Sequence, residues 1–236
     1  MNIVNTLCKE LNVKSWQVEN TIELIDSGNT IPFIARYRKE QTGELSDIEL
    51  RQLGERLEYL RNLENRKAEV IRLIDEQGKL NDELRKKIEN AKILQEIEDL
   101  YRPYRPKKRT RASIAKEKGL EPLAKFIWQQ KEIDISLEEM ASKHINPELG
   151  VETIEDAIKG ASDIIAEDIS DNADYRKFIR ELTYNIGTIS TKGLTEEKSE
   201  YKMYYDYAEL IKKIPPHRVL AINRGEKEKL LSVKID

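Results

Sequence analysis

"SDIELRQLGERLEYLRNLENRKAEVIRLIDEQ", residues Ser46 to Gln77, decides the fold. It opens on Ser-x-x-Glu, in which the Ser46 hydroxyl and the Glu49 carboxylate each satisfy a backbone N–H that the first turn of a helix leaves without a partner. Leu50, Leu53, Leu57 and Leu60 follow at 3-4-3 spacing, and Leu63, Val70, Ile71 and Ile74 continue the apolar face after a small rotation. Unbroken to Gln77, such a helix extends roughly 48 Å at about 1.5 Å per residue. Gly78 ends it and Asn81 caps the next, where Leu84, Ile88 and Ala91 repeat the period. The spacing predicts an antiparallel helical hairpin over Ser46 to Ala91.

Before this hairpin, Asn2 to Leu11 reads as a short helix and Ser15 caps a second one with Val18, Ile22 and Ile25 on one face, stopped at Gly28. Thr30 caps a third, "IPFIARYRKE", with Pro32 in its first turn, where the missing N–H costs nothing. After it, Ile93, Ile97 and Leu100 carry the helical period up to Tyr101. A short helix follows Thr110, and Gly119 separates it from another bearing Leu120, Leu123, Ala124, Ile127 and Trp128. Beyond the "NPELG" loop at Asn146 to Gly150, Thr153 opens a helix with Ile154, Ala157, Ile158, Ala161 and Ile165 inward. Asp171 opens the next, whose apolar positions are Tyr175, Phe178, Ile179 and Leu182. From Ile186 the stretches "IGTIS", "RVLAIN" and "LLSVKI" read as short strands, with Asn223 to Lys227 as a turn.

The expected fold is therefore mainly α: a multi-helix region over 1–185 with the long hairpin, and a small α/β segment over 186–236. Its 236 residues suffice for one sizeable core or two smaller ones without disulfides. A charged fraction of 36%, a mean hydropathy of −0.67 and only ten Gly and seven Pro suit amphipathic helices better than a β-sandwich. Helix lengths vary and no fixed period recurs, which argues against a repeat array.

"YRPYRPKKRTR", Tyr101 to Arg111, sets six basic side chains and no acid in a chain of net charge −3. Each proline biases the preceding Arg102 or Arg105 toward extended backbone, so a polyproline-type strap is expected. Tyr101 and Tyr104 would line one edge and the arginines another, with Lys107, Lys108, Arg109 and Arg111 continuing the charge. Polyanions are the natural ligand: arginine meets phosphate bidentately, neutralised phosphates release counterions, and exposed tyrosines stack unpaired bases. Such contacts hold nucleic acid without reading sequence. The alternative is that the tyrosines pack inward and the charges pair with surface carboxylates. A second candidate is Arg36, Arg38 and Lys39 in the third helix, in the manner of a recognition helix. Ile31, Phe33, Ile34 and Tyr37 wrap much of that helix, which favours packing over base readout.

Catalytic and metal chemistry find no pattern. His144 and His217 are the only histidines, in no ligand spacing, and Cys8 is the single cysteine. No phosphate loop, dinucleotide fingerprint or nucleophile elbow is present. The expectation is a non-enzyme with no cofactor and no metal. With no signal peptide and no run approaching 18 apolar residues, it is also a cytoplasmic protein with no membrane partner.

The segments "IPFIARYRKEQTGELSD", "LRQLGERLEYLRNLENRK", "EQGKL", "EDLYRPYRPKKRTRASIAKEKGLEPLA" and "HRVLAINRGEKE" carry a resemblance that spans most of the chain. In this order they resemble the N-terminal part of the bacterial Tex family of transcription accessory proteins. The resemblance implies a helical region with helix-turn-helix elements from a multidomain protein that binds RNA or DNA and influences transcription. It also implies continuation into an RNase H-like domain, helix-hairpin-helix elements and a C-terminal OB-fold RNA-binding domain, absent from these 236 residues. A sequence-tolerant nucleic-acid module is the first expectation; a helical scaffold that docks other domains or the transcription machinery is the second.

Overall fold

In the computed structural model, residues 2–106, 108–130, 135–197 and 199–236 are described. The chain divides into two compact units, Met1–Pro106 and Lys107–Asp236.

In the first unit, α1 (Ile3–Leu11), α2 (Ser15–Asp26), α3 (Ile31–Tyr37), α5 (Asp82–Asn90) and α6 (Leu94–Tyr101) surround the long α4 (Asp47–Asp75). The reciprocal cap at its start forms as the sequence requires. Ser46 Oγ accepts from the Glu49 amide at 3.2 Å, and the Glu49 carboxylate accepts from the Ser46 amide at 2.7 Å. Donation from the Ser46 hydroxyl at 2.7 Å, and then from its amide, holds the Glu49 carboxyl below the usual carboxylate range. Leu50, Leu53, Leu57, Leu60, Leu63, Val70 and Ile74 are all buried, packed with Leu7, Val18, Ile34, Ile88 and Ile97. One polar residue shares their stripe: Lys67 is 5% exposed. Its ammonium donates to the Glu89 carbonyl at 2.8 Å and pairs with Glu64 at 2.8 Å. A cation thus meets one of the carbonyls left unpaired at the C-terminal end of α5.

Gly43 ends a 3-10 turn over Glu40–Thr42 with φ +65°, and a Cβ there would lie 2.3 Å from the Trp16 ring. Only glycine satisfies both the left-handed backbone and this approach.

In the second unit, α7 (Arg111–Glu117), α8 (Glu121–Gln129), α9 (Leu137–Ser142) and α10 (Ile154–Asp171) enclose a core of Leu120, Leu123, Ala141, Ala157, Ala161 and Ile164. Thr110 and Thr153 cap α7 and α10 with the side-chain bonds their positions predict. Gly160 lets α10 approach closely: a Cβ there would sit 2.3 Å from Leu120 Cδ1.

α11 (Ala173–Ile186) is capped by Asn172 rather than Asp171, its side chain accepting from the Asp174 and Tyr175 amides. Its apolar positions, Tyr175, Phe178, Ile179 and Leu182, belong to no core and are exposed. Then come β1 (Thr188–Gly193), β2 (Asp206–Leu210), α12 (Pro216–Lys227) and β3 (Leu231–Ile235), in an antiparallel sheet of order β2-β1-β3. Ser190 is the central register point, opposite Ala208 on one side and Lys234 on the other.

Two expectations for this segment are corrected. "RVLAIN" lies in α12, not in a strand, and the expected turn at Asn223 to Lys227 is its last part. Pro216 occupies the first helical turn, and Ile222 and Gly225, three apart, face Leu231 and Tyr201. The third strand is instead "DYAEL", whose residues alternate between exposed and half-buried. No helix among the described residues is long and apolar enough to cross a membrane.

Candidate nucleic-acid interface

The basic segment is not a polyproline strap. Tyr101 is the last residue of α6, and Arg102–Tyr104 forms a 3-10 turn with Arg102 at φ −51°, ψ −43°. Arg105, at φ −65°, ψ 135°, is the extended residue the proline rule predicts. Proline biases its predecessor without forbidding the helical region, and the burial of Tyr101 decides the turn. Tyr101 is 6% exposed in the first core, its ring beneath the guanidiniums of Arg66 at 5.4 Å and Arg105 at 5.7 Å. That ring is therefore closed to a base. Tyr104 packs partly against the same core, and its carbonyl accepts from Gln77 Nε2 at 3.0 Å.

Arg105, Arg109 and Arg111 each pair with a carboxylate of their own unit. In the first, Arg105 pairs with Glu98, which also accepts from Arg66 Nε at 2.7 Å. Arg66 pairs again with Glu69 at 2.7 Å, and these carboxylates raise its pKa further above the ordinary arginine value. Arg102 is exposed and engaged. In the second unit, Arg109 pairs with Glu117 at 3.0 Å and Arg111 with Asp163 at 3.6 Å. Lys108 is exposed with no ion pair among the described residues, and Lys107 lies outside them. Exposure remains high throughout: 54% for the Arg105 side chain, 70% for Arg109 and 83% for Arg111.

The second candidate, α3, departs from its expected packing. Ile34 is buried, and Ile31 and Ala35 pack partly against the same core. The opposite face carries Phe33 and Tyr37, 38% and 59% exposed, with ring centroids 5.1 Å apart. The Arg38 guanidinium lies 5.3 Å from the Phe33 ring centre, and Arg36 and Lys39 are exposed. Arg36, Arg38 and Lys39 make no ion pair with a carboxylate among the described residues. A count of apolar residues hid this face; their spacing reveals it, since Ile31, Ile34 and Ala35 follow one side and Phe33 and Tyr37, four apart, the other.

Elsewhere, an open cleft of about 180 Å³ lies beside Trp128, with Ile164 and Ile165 in its lining. Its lysines are matched by acids, Lys125 with Glu121 at 2.9 Å and Lys116 with Asp168 at 3.8 Å. Among the described residues, no group of three His, Cys, Asp or Glu side chains is placed to hold a metal ion.

Residues 1–75 match the Tex-like protein N-terminal domain, and residues 134–236 match the Tex central region-like family. The chain is 51% identical over 98% of its length to the uncharacterized protein YdcI of Bacillus subtilis, covering 32% of that protein. It is 42% identical over its whole length to the transcriptional accessory protein Tex of Neisseria gonorrhoeae, covering 31% of it. Human S1 RNA-binding domain-containing protein 1 is 32% identical, again over the whole chain, which covers 24% of that relative. The chain thus spans about a third of the length of its bacterial relatives. With both Tex domain families matched in order and relatives aligned from end to end of it, the chain belongs to the Tex family.

Proposed function

We propose that the chain is a nucleic-acid-binding module of a transcription accessory protein, holding RNA or DNA by sequence-tolerant contacts to phosphate. The observation that carries this reading is a run of six basic side chains without an intervening acid, of which the described ones are exposed and Arg105, Arg109 and Arg111 pair with carboxylates of α6, α7 and α10. Ion pairs this exposed contribute about 0–1 kcal/mol, so a phosphate replaces the carboxylate at little cost while releasing counterions from the nucleic acid. The names of the Neisseria and human relatives, one a transcriptional accessory protein and one carrying an RNA-binding domain, support the same reading.

The test is fluorescence anisotropy of a labelled single strand and a duplex across salt. The variant changes Arg102, Arg105, Lys107, Lys108, Arg109 and Arg111 to Gln. Binding should weaken linearly in log–log salt, and the variant should lose slope. Equal slopes would remove phosphate binding from this segment.

A second reading rests on a different observation. Arg105, Arg109 and Arg111 each already pair with a carboxylate, as expected of a helical scaffold whose linker is neutralised. It predicts negligible nucleic-acid affinity for this chain alone.

A further inference from the structure

We infer that the outer face of α3 is a stacking platform for single-stranded nucleic acid. This rests on the nucleic-acid reading above and names both a second site and the form of ligand it takes. Phe33 and Tyr37 present rings to solvent one helical turn apart, the Arg38 guanidinium lies over Phe33, and Arg36, Arg38 and Lys39, adjacent in sequence, have no carboxylate to neutralise them among the described residues. The contrast with the 102–111 segment is in the partners: there Arg105, Arg109 and Arg111 pair with carboxylates, here Arg38 meets, among the described residues, only the Phe33 ring and the Tyr37 carbonyl, and Arg36 and Lys39 are exposed.

The rings are held in place. Ile34 anchors the inner face of α3 in the core, the Arg38 amide closes the helix on the Ile34 carbonyl at 2.9 Å, and the two rings and the Arg38 guanidinium pack on one another. Little side-chain entropy is then lost when a base stacks, which favours aromatic platforms over flexible chains.

The chemistry selects the ligand. An unpaired base offers a π-face to Tyr37 or Phe33 while its phosphates reach Arg36 and Lys39. A duplex keeps its bases stacked on one another and shows only hydrogen-bonding edges in its grooves, which two aromatic rings do not read. An apolar protein surface would cover the rings but leave three cations desolvated and unpaired, a cost that single-stranded phosphate removes.

The experiment measures binding of a labelled oligothymidylate and of the same strand paired with oligoadenylate, across salt. Phe33→Ala and Tyr37→Ala should each weaken single-strand binding by about tenfold, within the range for loss of one stacked base, and leave the salt slope unchanged. Tyr37→Phe keeps the ring and should bind within about twofold of the parent. Gln at Arg36, Arg38 and Lys39 should flatten the slope by about 2, at about 0.7 per phosphate on a single strand. Circular dichroism and the urea midpoint establish that each variant is folded; both rings are exposed, so the alanine variants should match the parent.

Alanine variants that bind like the parent, or a duplex bound as tightly as the single strand, would overturn the inference. If the six-fold Gln variant of 102–111 alone abolishes binding, the platform fails and the nucleic-acid reading stands. If the parent binds neither nucleic acid at low salt, both fail.

Discussion

Glu98 is the residue through which the basic segment can be switched without touching it. Its carboxylate accepts from Arg66 Nε at 2.7 Å and from Arg105, so Glu98→Gln keeps the shape and removes the charge that neutralises Arg105. The pair is partly exposed, with Glu98 at 31% and Arg105 at 54%, and Arg66 retains Glu69, so the loss of folding stability should be about 1 kcal/mol. The gain in binding follows from counterion release. One additional cation free to meet phosphate adds about 0.7 to 0.9 to the salt slope, which at 0.1 M salt is about five- to eightfold in affinity. Anisotropy titrations across salt measure both quantities. Glu69→Gln is the control, because it also touches Arg66 but not Arg105, and its binding should stay at the parent value. A folded Glu98→Gln variant with unchanged slope and affinity would refute the argument that carboxylate pairing restrains Arg105.

Three further outcomes follow from packing and charge. Lys67→Ala should cost about 3 kcal/mol in urea unfolding because Glu64 and the Glu89 carbonyl lose their cation, whereas Lys67→Met, which fills the same apolar stripe, should cost distinctly less; equal losses would contradict this. Gly160→Ala should destabilise the second unit by about 1–3 kcal/mol, since its Cβ would meet Leu120 at 2.3 Å, and an unchanged melting temperature would show that α10 shifts freely. The Arg56 and Arg61 guanidiniums, by hydrogen bonds first and charge second, hold Glu10 and Asp26 below the usual carboxylate range. Folded values below unfolded ones mean that the added stability is complete above about pH 5 and disappears as pH falls through the depressed folded values. Urea midpoints from pH 7 to pH 2.5 should show that fall, and changing both arginines to Gln should flatten it.

The parts of this fold legible in sequence are those where local and tertiary rules agree. Ser46, Glu49 and the leucines of α4 specify the same helix twice, once by its cap and once by its buried stripe. "RVLAIN" failed because a six-residue apolar run fits a strand or a helix equally, and the deciding signal, Pro216 opening a first turn, lies outside the run. "DYAEL" was invisible because only one of its faces is even half-buried, leaving no hydrophobic alternation to read. Lys67 broke the stripe in appearance only, since its destination is a carbonyl on a helix more than twenty residues away. In the candidate interface the open question was which side a residue takes. Tyr101 could line a strap or pack inward and proves buried, and Phe33 and Tyr37, read as packed because they neighbour isoleucines, prove exposed. Composition places residues in an interface; only helical phase says which side they occupy.

The two candidate surfaces should separate by salt, because they draw on different physics. Contacts from the 102–111 segment are electrostatic, and Arg105, Arg109 and Arg111 begin from carboxylate pairs, so a phosphate held by any of these three replaces a carboxylate and depends on counterion release. At α3 the stacking contribution of Phe33 and Tyr37 does not depend on ion concentration, although that of Arg36, Arg38 and Lys39 does. Raising salt should therefore strip the linker contribution first and leave a residual single-strand affinity that belongs to the rings. At about 0.5 M salt, Gln at the six linker positions should change that residual affinity little, while Tyr37→Ala should still weaken it by about tenfold. The reverse order, with the linker variant deficient at high salt and the ring variant normal, would place the lasting contacts on the arginines and leave α3 as a packing helix with two exposed aromatics.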